Sequence, residues 1–140
     1  MAIRFFSDGV SFQLERKRKI SQWLTLVAIT EGKKIGNLCC IFAPDETIRD
    51  VNKKYLQHDD YTDIITFDDS TNDTISGELY ISIDTVRSNA KDYQVDFYNE
   101  LLRVMVHGTL HLCGYKDKSA DEQREMRSAE DKYLILWNAD

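Results

Sequence analysis

Proline occurs once in this chain, at Pro44, and no linker, repeat or low-complexity stretch interrupts its 140 residues. That absence predicts a single domain over 1–140, with 42% hydrophobic residues sufficient for one core. Cysteine is nearly as scarce. Cys39, Cys40 and Cys113 are odd in number and two are adjacent, which argues against a disulfide framework and for reduced core thiols in a cytoplasmic protein. No apolar run approaches the length of a membrane span, and the opening Met-Ala-Ile-Arg-Phe-Phe-Ser-Asp lacks a signal peptide's apolar core. No membrane partner is expected.

Positive charge is also in deficit, at a net −6, which weighs mildly against a nucleic-acid partner. Its distribution softens the objection. Residues 1–57 hold ten Lys/Arg against six Asp/Glu, whereas residues 58–140 hold eight against eighteen. The basic part includes Arg16-Lys-Arg-Lys19 and the pairs Lys33-Lys34 and Lys53-Lys54, clusters that counterion release makes favourable for phosphate backbones. A solvated turn of a surface helix explains Arg16–Lys19 equally well. The acidic half reads as solubilising.

What is present alternates between helical and strand-like periods. Ile3–Ser7 reads as a strand, and Gln13 to Glu31 as a helix with Ile20, Trp23, Leu24 and Val27 on one face, ended by Gly32. Ile35–Ala43 is a long strand broken by Pro44, and Asp45 caps a helix carrying Ile48, Val51, Asn52 and Tyr55. Asp63–Phe67 and Glu78–Ile83 are short β-rich runs joined by a polar loop over Asp68–Ser76. Asp84 caps a helix to Tyr93 and Asp96 caps the next one. Ser119-Ala-Asp-Glu122 is a capping box opening a last helix with Met126, Ala129 and Tyr133 inward. The expected fold is α+β: a small mixed sheet of about four strands and about five helices around one central buried helix.

That central helix, from Asp96 to Cys113, is apolar nearly all round, as buried helices are, yet it carries two of the chain's three histidines. His107 and His111 are four residues apart. On a helix this spacing means about 6 Å of rise and about 40° of rotation, so both imidazoles leave one face. Gly114 can end the helix in a left-handed conformation and turn the chain back, and Asp117 can then supply an oxygen to the same ion. Two histidines and a carboxylate with a fourth position open describe a catalytic rather than a structural zinc site. Cys113 would point to another helix face and is not expected as a ligand. The spacing approaches that of zinc-protease motifs reading HExxHxxGxxH. In those the Glu after the first His is the general base, and here that position is Gly108.

The stretch His107-Gly-Thr-Leu-His-Leu-Cys-Gly-Tyr115 resembles the HGxLHLxGYDH motif of the YbeY-type ribosomal RNA maturation factors, single-strand-specific endoribonucleases. Upstream, the segment from Val51 to Phe67 resembles the family's LNxxYRxxDxPTDVLSF, and Gly77-Glu-Leu-Tyr-Ile81 its following GDI-type strand. The resemblance covers residues 45 to 131. This chain departs from the pattern in four places: Asp117 stands where the family has its third histidine, Lys116 where it has Asp, Leu56 where it has Arg, and Tyr61 where it has Pro. Asp is a competent zinc ligand. A guanidinium is the natural phosphate clamp, so with Leu56 in its place the candidates for that role are Lys53, Lys54 and Arg103.

The resemblance implies a zinc-dependent endoribonuclease acting on single-stranded RNA in ribosomal RNA maturation, including processing of the 16S rRNA 3′ end and ribosome quality control, with the small ribosomal subunit as partner. One Zn²⁺ per chain is expected on His107, His111 and Asp117, with Mn²⁺ or Mg²⁺ as substitutes because a carboxylate hardens the site. No general base stands out among Asp59, Thr62, Asp63 and Glu78. Two alternatives remain open at the level of sequence: another metal-dependent hydrolase such as a degenerate metallopeptidase, and a non-catalytic ribosome assembly factor stapled by its metal.

Overall fold

The computed structural model describes residues 2–56 and 62–139; Asp59 and Tyr61 lie outside these. Among the described residues the order is β1 (Ala2–Ser7), α1 (Lys17–Thr30), β2 (Lys34–Ala43), α2 (Asp45–Leu56), β3 (Ile64–Asp68), β4 (Thr74–Ser82), α3 (Ile83–Tyr93), α4 (Phe97–Leu112) and α5 (Ala120–Asn138). The four strands form one mixed sheet, ordered β1-β2-β4-β3, with β3 antiparallel to β4 and the other pairs parallel. The expected α+β architecture of four strands and five helices is what forms. No helix among the described residues is long and apolar enough to cross a membrane.

Boundaries moved where tertiary pairing or local backbone overrode the pattern. The polar run read as a loop contributes three residues to β4, because the long β2 continues past the hydrophobic stretch and pairs Lys34 with Thr74 and Ile35 with Ile75. Helix α1 starts four residues late, since Arg16 at its N-terminus adopts a left-handed φ of 60°. Ser82, not Asp84, caps α3, its hydroxyl accepting from the Thr85 amide at 3.1 Å. Asp96 does occupy the N-cap of α4 but makes no side-chain cap bond. The Ser119/Glu122 capping box forms in full.

Period-two alternation gives the sheet two unlike faces. Leu38, Cys40, Phe42, Ile75, Leu79 and Ile81 enter the main core beneath α1, α4 and α5. On the opposite face Ala43 and Ile65 pack with Ile48 of α2 in a small cluster, with Phe67 and Tyr80 against it. Helix α4 touches α1, α3, α5, β3 and β4, which makes it the centre of the domain. It lies very close to the sheet at Gly108, where a Cβ would sit 2.7 Å from Ile64 Cδ1 and 2.9 Å from Leu79 Cδ2.

Candidate metal centre

The buried residues of α4, among them Leu101, Met105 and Leu110, fix its rotation, and that rotation leaves His107 and His111 half-buried along one edge. The helix ends at Cys113, and Gly114 takes the left-handed φ of 109° that reverses the chain. The Gly114 amide donates to the His111 carbonyl at 3.0 Å and the Tyr115 amide to that of Leu110 at 3.0 Å, which fixes the start of the reversal. It returns Asp117 to the histidine edge. Asp117 Oδ2 lies 3.2 Å from each Nε2, and the two Nε2 atoms are 3.1 Å apart.

Each imidazole is held from behind. His107 Nδ1 donates to Glu130 Oε2 at 2.6 Å, and His111 Nδ1 donates to the Tyr115 carbonyl at 2.9 Å. A carboxylate and a carbonyl can only accept, so each Nδ1 carries the hydrogen and each Nε2 presents a lone pair. Three acceptor atoms therefore face one another within hydrogen-bonding distance, an arrangement that repels itself unless a cation or proton lies among them. A tetrahedral ion with bonds of about 2.0 Å has ligand–ligand edges of about 3.3 Å, close to the separations of 3.1 and 3.2 Å. The donor set and its spacing fit a single divalent ion bound by His107, His111 and Asp117.

Behind this triad lies a charged chain that sequence reasoning missed. Glu130, on α5, is buried at 4% exposure. Its Oε1 accepts from Arg103 Nη1 at 2.8 Å, and Arg103 Nη2 reaches Asp131 Oδ1 at 2.7 Å. Burial by itself would raise the Glu130 pKa, but the hydrogen bonds from His107 and Arg103 reverse this and hold the carboxylate below its ordinary value. For His107 burial pulls the pKa down, and Glu130, with Asp117 and Asp63 adding to it, lifts the value above 6.5. A signal existed in the sequence: Glu130 is four residues beyond the inward-facing Met126, an acid on the buried stripe of α5. On the other side, Tyr115 donates to Glu31 Oε1 at 3.0 Å and Tyr133 donates to Glu31 Oε2, which ties the metal turn to α1 and α5.

A cavity of about 360 Å³ opens beside His107 and Asp117, with Asp63, Asn89, Arg103 and Glu130 in its wall. Of the three base candidates among the described residues, Thr62, Asp63 and Glu78, Asp63 alone lines it. Burial raises the Asp63 carboxyl above 3.8, against the pull of His107, and its backbone is pinned by the Ser82 amide donating to the Asp63 carbonyl at 2.9 Å. Glu78 lines a different cleft, beside Tyr55, Phe67 and Tyr80. Thr62 sends its hydroxyl to the Ile64 carbonyl at 3.4 Å, and Asp59 is outside the described residues. Among the cations, Arg103 is in the cavity wall but committed to Glu130 and Asp131. Lys53 and Lys54 are exposed on the last turn of α2, away from the triad's helix, with Lys54 Nζ 5.3 Å from the Tyr55 ring centre. In the Arg16–Lys19 cluster, Lys19 is engaged over the Trp137 ring at 4.1 Å.

Comparison with known proteins agrees over nearly the whole chain. The family model described as endoribonuclease YbeY matches residues 4–138. Proteins named endoribonuclease YbeY from Porphyromonas gingivalis and Bacteroides thetaiotaomicron are each 46% identical, covering 96% and 97% of this chain and 89% and 99% of their own lengths. The solution structure of TM1509 from Thermotoga maritima superimposes with a TM-score of 0.69 at 25% identity, over 97% of this chain and 89% of that one. With the match running from residue 4 to residue 138, and a site built on the motif's own two histidines, the chain belongs to the YbeY endoribonuclease family.

Proposed function

We propose that this protein is a zinc-dependent, single-strand-specific endoribonuclease that acts in ribosomal RNA maturation, at the 16S rRNA 3′ end and in ribosome quality control, in the cytoplasm with the small subunit as its platform. The observation that carries the chemistry is the convergence of two Nε2 lone pairs and one carboxylate oxygen at 3.1–3.2 Å. The RNA substrate rests on the names of relatives 46% identical to this chain. When bound, the ion supplies Lewis acidity at a phosphoryl oxygen and a more acidic water. His107 and His111 keep their protons on Nδ1 and so hold neutral imidazoles toward the ion. Asp117 contributes one negative charge, which leaves a Zn²⁺ centre at about +1, still attractive to phosphate. Asp63, walled into the adjoining cavity with a raised pKa, is the group placed to accept a proton there. Lys53 and Lys54 supply phosphate contacts along the strand.

The metallopeptidase alternative has no proton acceptor after the first histidine, since Gly108 has no side chain. A structural staple would want four protein ligands, and the group found among the described residues has three. The test is cleavage of single-stranded RNA by purified protein with and without a chelator. Expected is metal-dependent cleavage that is lost in His111→Ala, and that slows by about 10²-fold in Asp63→Asn with metal content unchanged. Metal-dependent proteolysis of casein beside no affinity for RNA would overturn the reading.

A further inference from the structure

The two histidines of the triad are oriented by unlike means. His111 is held by the Tyr115 carbonyl, a backbone group that the turn itself supplies. His107 is held by a side chain delivered from another helix, 23 residues along the chain, at 2.6 Å. Glu130 is nearly the only acid in the core: with Glu100 it is one of two buried carboxylates among the described residues. An unpaired carboxylate in such a place is strongly disfavoured, and both of its oxygens are accordingly occupied, one by His107 and one by Arg103. Arg103 in turn is anchored on Asp131. A part-buried ion pair, with Arg127 Nη1 a further 3.6 Å from Glu130 Oε1, thus stands behind one imidazole.

We infer that Glu130, steadied by Arg103, is the positioning residue of the metal centre: it fixes the Nδ1–H tautomer and the ring angle of His107, so that the Nε2 lone pair meets His111 and Asp117 where an ion can bind. The inference rests on the zinc reading above. Glu130 touches neither the ion nor the substrate. It acts through the imidazole, as the carboxylate of a carboxylate–histidine–metal chain does, where removal commonly weakens metal affinity by about 10–100-fold. Arg103 acts one step further back, and its candidacy as a phosphate clamp gives way in this proposal to the task of keeping Glu130 charged and still.

Two measurements on the full chain test this without reference to RNA cleavage. The first is the Zn²⁺ dissociation constant, by competition with a chromophoric chelator, for the parent protein, Glu130→Ala and Glu130→Gln. Expected is weakening by about 10–100-fold in Glu130→Ala and a smaller loss in Glu130→Gln, whose amide oxygen can still accept from Nδ1. The second is long-range ¹H–¹⁵N correlation of the metal-free protein above the imidazole titration range. The His107 ring is expected to populate the Nε2–H tautomer once Glu130 is removed, while His111, held by a backbone carbonyl, keeps Nδ1–H. A purely structural role would lower thermal stability and move neither readout selectively. A dissociation constant within about twofold of the parent in folded Glu130→Ala, or in Glu130→Gln if the alanine variant does not fold, overturns the inference. A parent chain that binds no stoichiometric zinc would instead overturn the zinc reading beneath it.

Discussion

Cys39 and Cys40 are neighbours on β2 that point to opposite faces of one sheet, and their surroundings have little in common. Cys40 is sealed in the main core at 0% exposure, and burial with Cys39 beside it pushes its thiol up to about 12. Cys39 is half-buried in a cleft with Tyr55, Glu78 and Tyr80. The same alternation sets Leu79 under α4 and Tyr80 in the smaller cluster below α2. The covered face is where the molecule needs fixed geometry, because α4 rests on it and carries the histidines. On the other face α2 roofs only one end, and Glu78 and Arg4 meet water. The larger and more fully buried core therefore lies behind the candidate metal centre.

The largest break in this comparison is expected from emptying the covered face. Leu79→Ala removes the side chain against which Gly108 is docked and should destabilise the protein by about 2–5 kcal/mol, whereas Tyr80→Ala, half-exposed and partnered mainly by Phe67 at a ring separation of 5.7 Å, should cost about 1–2 kcal/mol. Chemical denaturation of the two variants checks this, and equal losses would erase the distinction between the faces.

Alkylation should give the next largest contrast. Cys40 and Cys113, whose thiols burial raises to about 12 and about 11, hold few thiolates at neutral pH, and the thiolate is the nucleophile. Iodoacetamide near pH 8 followed by peptide mass spectrometry should modify Cys39 at least about tenfold faster than Cys40. Raising the pH toward 9 should speed labelling without changing that order, because Cys40 remains far below its midpoint. Preferential labelling of Cys40 would mean that the covered face opens.

The smallest effect belongs to the exposed end of α2. If Lys53 and Lys54 bind phosphates, Lys53→Gln/Lys54→Gln should weaken RNA binding at low salt about equally for all sequences. The slope of log K against log salt should fall by about 0.7 for each phosphate no longer neutralised. Zinc content should stay the same. An unchanged slope would remove α2 from the binding surface.

How much of this was legible in the sequence followed from how local each interaction is. The His107/His111 spacing, the Gly114 reversal and Asp117 lie within eleven residues, and helix periodicity with one glycine was enough to bring them together. Glu130 shows locally only its place on the inward stripe of α5, four residues beyond Met126, and the partners that make sense of an acid there appear only when α5 is laid on α4. Arg103 stands among the candidate phosphate clamps at the level of sequence for the same reason: its two carboxylate partners are 27 and 28 residues away. Strand existence followed from alternation, but the order β1-β2-β4-β3 and the extension of β4 to Thr74 are set by pairing with β2, which hydrophobicity along one strand does not encode.

Gly108 has a consequence for what this scaffold can become. The position that holds the base in zinc peptidases is occupied here by a point of close approach between α4 and the sheet, with Ile64 and Leu79 where a side chain would start. A single change to glutamate would not produce a peptidase, because the new carboxylate would be driven into aliphatic core and the helix that carries both histidines would have to lift to admit it. The two hydrolytic chemistries share a metal-binding spacing and are separated by a helix docking distance, so passage from one to the other requires rebuilding the floor beneath the helix before the catalytic group can be tried.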